Sequence, residues 1–233
     1  MLYTYFDARE FNLRQADIAS SKALELEPEL AESHVARGLA VSLSKRFDEA
    51  EQEFETAMRL DPKSFEAAYW FGRARLSQGK YEEAVKLFDR ASSLRPEDYQ
   101  AAGMLAQAYA AWGKKAESEA GYRRQIRLVE QQLELTPDDA RACIFAAISH
   151  SVIHEPDKSM QYAERALTID PDDPMLLYNV ACTYAQLDKR EDALACLERA
   201  VDKGFGHKEW IEHDPDLNTI RDMPRFQAIA QAM

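Results

Sequence analysis

The stretches KRFDEAEQEFETAMRLDP (Lys45–Pro62) and GKYEEAVKLFDRASSLRP (Gly79–Pro96) are two copies of one pattern set 34 residues apart. Ala50, Phe54, Ala57, Leu60 and Pro62 in the first copy become Ala84, Phe88, Ala91, Leu94 and Pro96 in the second. Outward from these copies, Pro28 stands 34 residues before Pro62, and Pro137 stands 34 before Pro171. A recurrence at this period is the mark of helical hairpins that stack on one another, since each unit is too small to bury its apolar face alone.

The side-chain types say how the units pack. Apolar residues three and four apart lie on one face of a helix. Small alanines let two backbones approach, while the aromatic fills the space between them. Gly72 follows Phe71 inside an expected helix, where glycine costs about 1 kcal/mol against alanine, a cost that close approach of a neighbouring helix explains. Gly38 holds the same place one unit earlier, and Ala106, Ala147 and Ala181 hold it later. The prolines separate hairpins because proline disfavours helix in the residue before it and suits a helix's first turn. Gly79 and Gly113 supply turns within hairpins, where a left-handed residue ends the first helix cheaply. The reading predicts helices over residues 31–43, 47–60, 65–78, 81–94, 99–112, 115–135, 140–153, 156–169, 174–187 and 190–203, and no strands.

These offsets resemble the tetratricopeptide repeat. The resemblance implies an all-α fold, a right-handed α-solenoid of antiparallel helical hairpins (TPR superhelix) with a C-terminal helical cap. Residues 1–30 read as a partial first repeat and residues 31–206 as five hairpins, 31–64, 65–98, 99–139, 140–173 and 174–206, with capping helices over 207–233. One elongated module, with no second domain, is the expectation.

Three departures carry information. The interval between Pro96 and Pro137 grows to 41 residues, and an insertion of seven is close to two helical turns. Tyr122, Ile126, Val129 and Leu133 continue an apolar stripe through it, so the helix over 115–135 is expected to be long. That stripe packs on the next hairpin or makes a dimer or partner contact. At the start, Arg14–Leu26 fits a second helix, whereas Leu2–Glu10 looks like a truncated first one. Leu2, Tyr3, Tyr5, Phe6 and Phe11 are apolar where a solenoid cap is usually polar, which points to preceding material or a docked partner. At the end, LERAVDKGF (Leu197–Phe205), Trp210, DPDL (Asp214–Leu217) and RDMPRF (Arg221–Phe226) resemble the closing segment of bacterial multidomain signalling proteins. In that class the repeats follow a nucleotide cyclase, a Ser/Thr kinase or a winged-helix regulator, often with a TolB-like region.

Composition narrows the function. A formal net charge of −12 over 233 residues argues against a nucleic-acid or anionic-membrane partner, because phosphate binding needs a basic footprint. Lys114, Lys115, Arg123, Arg124 and Arg127 read as a solvated face. No apolar run reaches the ~18 residues of a membrane span, and Met1–Arg9 lacks the order of a signal peptide, so a cytoplasmic chain is expected. Cys143, Cys182 and Cys196 have no metal-ligand spacing and read as small core residues. His150 and His154, four apart, are a weak metal pair with no completing ligand. With no phosphate loop, nucleophile elbow or kinase motif, neither catalysis nor a cofactor or metal is expected.

The family resemblance implies that the first helix of each hairpin lines a concave peptide-binding groove. The residues singled out are Tyr69, Arg73 and Gln107, then Arg141, Ile144 and Ile148, and then Tyr178 and Asn179. Aromatic and arginine side chains dominate interface energetics, so the expected ligand is a protein segment, either an extended peptide or a helix with apolar anchors. Arg73 and Arg141 could pair with an acidic side chain of it. The lysine and asparagine clamp that some relatives place on a chain terminus is absent. Two functional readings follow: a non-catalytic interaction scaffold, or a regulatory or dimerisation module of a larger signalling protein. A homodimer through the helix over 115–135 or the apolar N-terminal end is left open. The register itself is testable. Ala84→Asp places a charge where two helices meet and is expected to cost several kcal/mol in chemical denaturation; an unchanged midpoint would mean that the register is misplaced.

Overall fold

Helix after helix, the chain follows the repeat. The computed structural model describes residues 10–233, apart from the side chains of Glu10, Glu209 and Trp210. Among these residues there are thirteen α-helices, one short 3-10 turn and no strand. They are α1 Glu10–Leu26, α2 Ala31–Leu43, α3 Phe47–Leu60, α4 Phe65–Ser77, α5 Tyr81–Leu94, α6 Tyr99–Ala111 and α7 Lys115–Leu135. Then come α8 Ala140–Val152, α9 Pro156–Ile169, α10 Pro174–Gln186, α11 Arg190–Asp202, α12 Lys208–His213, the 3-10 turn Pro215–Leu217 and α13 Pro224–Ala232. Each of the ten helices predicted from the periodicity is present, with ends that agree to within one residue. The suspected truncated helix over Leu2–Glu10 lies outside the described residues.

Contacts gather the described residues into two compact units, one ending at Gly121 and the other running from Tyr122 to Met233, so that the boundary falls within the residues of α7. In each unit consecutive helices pair and successive pairs stack, which is the construction of an α-solenoid.

In the first unit two aromatic rings decide the spacing. Phe54 on α3 and Phe88 on α5 are wholly buried. A Cβ built on Gly38 would lie 2.9 Å from the Phe54 ring, and one on Gly72 would lie 2.9 Å from that of Phe88. Glycine is therefore present because the ring leaves no room for a methyl group. In the third hairpin the small residue moves to the other helix, where a Cβ on Gly121 would meet Ala106 Cβ at 2.8 Å. Phe54 stacks on Phe71 at 5.4 Å, so the same ring also joins the first hairpin to the second.

Polar groups recur at fixed places as well. Ser64, Asp98, Asp139 and Asp173 each accept a hydrogen bond from the backbone N–H three residues on, at 3.1, 2.7, 2.8 and 2.6 Å, and so cap α4, α6, α8 and α10. Such caps satisfy N–H groups that the helix cannot. Arg90, Arg165 and Arg199 each donate to the carbonyl of a separator proline 28 residues back: Pro62 at 2.5 Å, Pro137 at 2.5 Å and Pro171 at 2.7 Å. The turn residue inside each hairpin is left-handed whatever its type. Gly79 and Gly113 have φ of 74° and 78°, and Lys45, His154 and Asp188 have 60°, 62° and 57°.

The apolar stripe of α7 is consumed inside the chain. Tyr122, Ile126, Val129 and Leu133 are buried, and Gln125 is buried with its Oε1 accepting from Ser149 Oγ on α8 at 2.8 Å. The stripe therefore offers no open face for a second chain.

Gly72→Ala tests the packing. Helix propensity alone would favour alanine by about 1 kcal/mol, but overpacking against a wholly buried ring costs about 1–3 kcal/mol. The expected outcome is a net loss in urea unfolding, and its reversal in the Gly72→Ala, Phe88→Leu double variant relative to Phe88→Leu alone.

Candidate groove face

The first helices of the hairpins place the singled-out residues very differently. On α4, Tyr69 is buried, its ring stacked on Phe65 at 5.5 Å and edge-on to Trp70 at 5.3 Å and to Phe88 at 6.0 Å. Trp70 and Arg73 are half-buried. The Arg73 guanidinium lies 5.8 Å from the Tyr69 ring centroid and 5.3 Å from that of Trp70, and burial pulls its pKa below the ordinary arginine value. Nearby, Glu66 pairs with Arg95 at 2.6 Å. Gln107 on α6 is exposed. In the first unit the structure thus brings Tyr69 and Arg73 together, with Trp70 between them in sequence.

In the second unit Arg141 is exposed and Ile148 half-buried on α8, while Ile144 is buried at 4% exposure. On α10, Asn179 Nδ2 donates to Met175 O at 2.9 Å, within its own helix. Tyr178 is covered by the tail. Its hydroxyl donates to Asp214 Oδ2 at 2.5 Å, and its ring stacks on Phe205 at 4.3 Å. Cys182 Sγ lies 3.9 Å from the same Asp214 oxygen. Burial, with Asp214 beside them, raises the pKa of Tyr178, Cys182 and Asp216. Cys182 is therefore a protonated, shielded thiol.

The tail is held firmly. Ile211, Leu217 and Ile220 have no exposed surface, and Thr219 Oγ1 donates to Ala185 O at 2.8 Å. Asp214 caps the 3-10 turn by accepting from Asp216 N at 2.9 Å. Arg221 donates to Asp214 O at 2.6 Å and also to Glu212 O. Arg225 on α13 pairs with Glu191 and Glu198 of α11 at 2.6 and 2.7 Å. The DPDL motif accordingly closes over α10, a helix whose outer residues the sequence offers to a ligand, while RDMPRF braces that turn through Arg221 and reaches α11 through Arg225. Only the tertiary structure shows this cover.

His150 and His154 do not face a common centre. His150 is buried, stacked on Tyr162 at 5.5 Å, with Nδ1 bonded to Glu155 Oε2 at 2.9 Å, whereas His154 is exposed at the left-handed turn. Among the described residues the group whose potential ligand atoms come within 4.8 Å of one another is Cys182, Asp214 and Asp216. No described helix is long and apolar enough to cross a membrane.

Stacked helical pairs whose first helices carry a mixed aromatic and polar face define a helical-repeat fold of the α-solenoid class. Models of the tetratricopeptide repeat family match residues 43–108 and 75–127, and again 176–202. A chloroplastic protein of Arabidopsis thaliana is 38% identical over 52 residues, 22% of this chain and 16% of that protein. A thermophilic TPR protein of Thermus thermophilus superposes with a TM-score of 0.62 at 20% identity, covering 87% of this chain and 100% of that one. A tetratricopeptide repeat protein of Parabacteroides merdae gives 0.64 at 18%, covering 92% and 80%. The pilF protein of Pseudomonas aeruginosa gives 0.56 at 20%, covering 81% and 83%. At these identities the structural likenesses show the fold alone. Tetratricopeptide repeats generally mediate protein–protein interaction, and no enzyme family is indicated.

His150 gives the second unit a pH dependence. Burial is the largest cause of its shift and lowers its pKa below 6.5, outweighing the opposing hydrogen bond to Glu155. The folded chain then binds fewer protons than the unfolded one between the lowered value and 6.5. Stability is full above that window and declines as pH falls through it. The urea midpoint is expected to drop between pH 7.5 and 5.5, and His150→Asn, which keeps a donor for Glu155, is expected to flatten that drop; an identical slope in the variant would exclude His150 as its origin.

Proposed function

We propose that the chain is a non-catalytic scaffold in the cytoplasm that holds an extended peptide or a helix of a partner protein on its first-helix faces. The observation that carries this reading is the half-buried Trp70 and Arg73 packed against Tyr69 on α4. Interfaces draw most of their energy from a few aromatic and arginine residues seated in such packed surroundings. Gln107 in the first unit and Arg141 and Ile148 in the second extend the proposed contact. Ile144, Tyr178 and Asn179 serve it from within, as packing and as the tail's seat.

A regulatory or dimerisation module of a bacterial cyclase, kinase or transcription regulator is the second reading. Its support is the tail motif, whose Phe205, Asp214 and Arg221 each fix the segment over α10. For a homodimer, one group of exposed large apolar side chains is on and after α1, namely Phe11, Ile18, Leu26 and Leu30, while Trp112, Leu135 and Val152 are exposed elsewhere among the described residues; the rest of the N-terminal end lies outside the described residues.

Affinity capture from a lysate of the source organism tests the scaffold reading, with the wild-type chain compared with an Arg73→Ala, Gln107→Ala variant. Both side chains lie outside the buried core, so folding is expected to survive and can be confirmed by circular dichroism. A partner retained by the wild type and lost from the variant is the expected result. Identical retained proteins would rule these positions out as the contact.

A further inference from the structure

Tyr178, Cys182, Ala185 and Gln186 form one stripe of α10, because positions four, seven and eight apart share a helix face. The tail takes all four. Asp214 Oδ2 accepts from the Tyr178 hydroxyl at 2.5 Å and lies 3.9 Å from Cys182 Sγ. Thr219 Oγ1 donates to Ala185 O at 2.8 Å, and the Gln186 amide donates to the Asp216 carboxylate. The stripe belongs to the first-helix face to which the family resemblance assigns ligand binding, and a segment of the same chain lies along it.

This docking carries a cost. A carboxylate oxygen of Asp214 and one of Asp216 lie within 4.8 Å of each other and of Cys182 Sγ. Like charges that close, and partly removed from water, oppose each other's ionisation, so the docked turn holds a repulsion that water would relieve. Against it stand Leu217 and Ile220, wholly buried, which make the docked tail the resting state. The tail leaves α11 through Gly204 and Gly206, and a Cβ built on either meets nothing closer than 3.9 Å. Glycine adopts both signs of φ readily, so the linker can turn without moving the hairpin behind it.

We propose that the segment Asp214–Thr219 is an autoinhibitory occupant of the α10 stripe, displaced by a partner segment that presents one carboxylate and, three residues on, an apolar side chain. The proposal rests on the scaffold reading and adds to it the chemistry of the ligand and a gate. A tethered turn competes at an effective concentration of about millimolar, so a partner's apparent affinity is reduced by the fraction of chains whose tail is undocked. A partner with a neutral residue in the place of Asp216 exchanges with advantage. It keeps the contact with Tyr178 and the apolar seat of Leu217 and brings no second carboxylate.

Cys182 reports the gate, with Cys143 and Cys196, also buried, as controls for unfolding. Alkylation of the full chain is followed at each cysteine by mass spectrometry and scaled to the rate at the same cysteine in the urea-unfolded chain. In the wild type Cys182 is expected to react at least tenfold faster than the two controls. In Leu217→Ala it is expected to react at least tenfold faster again, with the controls unchanged. A peptide IEHDPNLNTIR, residues 211–221 with Asp216→Asn and blocked at both ends, is expected to slow Cys182 of that variant at least tenfold. The same peptide carrying Asp214→Asn and Leu217→Ala as well is expected to leave it unprotected. Equal rates at the three cysteines of the wild type overturn the proposal, since the tail is then a fixed cap. So does a failure of IEHDPNLNTIR to protect, or equal protection by the altered peptide. The wild-type comparison needs no variant, so the test survives a Leu217→Ala chain that folds poorly. A fixed tail alongside a partner captured through Arg73 and Gln107 would remove the gate and leave the scaffold standing.

Discussion

The approach of a glycine-bearing helix to a buried phenylalanine sets the geometry of the first unit. Phe54 and Phe88 have no exposed surface, and each occupies the space that a side chain on Gly38 or Gly72 would need. Burying such a ring contributes about 2–3 kcal/mol, which exceeds the roughly 1 kcal/mol that glycine costs in a helix interior. The pair thus fixes how close two helices lie, and the distance between helices fixes which residues of α4 remain half-buried. Trp70 and Arg73 reach the surface because Tyr69 and Phe71, the neighbours of Trp70 in the chain, are drawn inward.

Electrostatics are handled locally in this acidic chain. Arg37 donates to Glu49 at 3.0 Å, to Asp17 Oδ1 at 2.7 Å and to Ser21 at 2.9 Å, tying α1, α2 and α3 together. Arg75, nearly buried, pairs with Glu51 and Glu83 on the flanking second helices. Buried arginines of this kind demand their partners, since a guanidinium removed from water without acceptors is costly. Much of the charge that composition presents as surface is committed to holding neighbouring hairpins together.

The two units use their first-helix faces in different ways. In the second unit the face of α10 is closed by the tail, through apolar side chains that are wholly buried and through the hydroxyl of Tyr178. In the first unit the corresponding residues of α4 include an arginine and a tryptophan that reach the surface. The closure explains why the terminal motifs DPDL and RDMPRF are built as they are. Asp214 must both cap a turn and accept from tyrosine, and Arg221 must gather the carbonyl groups of Ile211, Glu212 and Asp214 around that turn.

The sequence by itself determined the helices, their ends and their pairing, because a short-range pattern of alanine, aromatic residue and proline acts within one hairpin or between adjacent ones. It also marked Gly79 and Gly113 as left-handed turns, but not Lys45, His154 and Asp188, whose side chains give no sign of a conformation that packing imposes on them. It showed a face on α4 and a face on α10 as equals. Only the tertiary structure decided that the tail closes over α10, because Asp214 and Tyr178 are 36 residues apart in the chain and nothing periodic links them. The same holds for the stripe on α7, beside which Gln125 meets Ser149 of the next hairpin. Contacts between segments of different rhythm leave no period to read, and they are formed where burial of apolar surface and satisfaction of polar groups coincide.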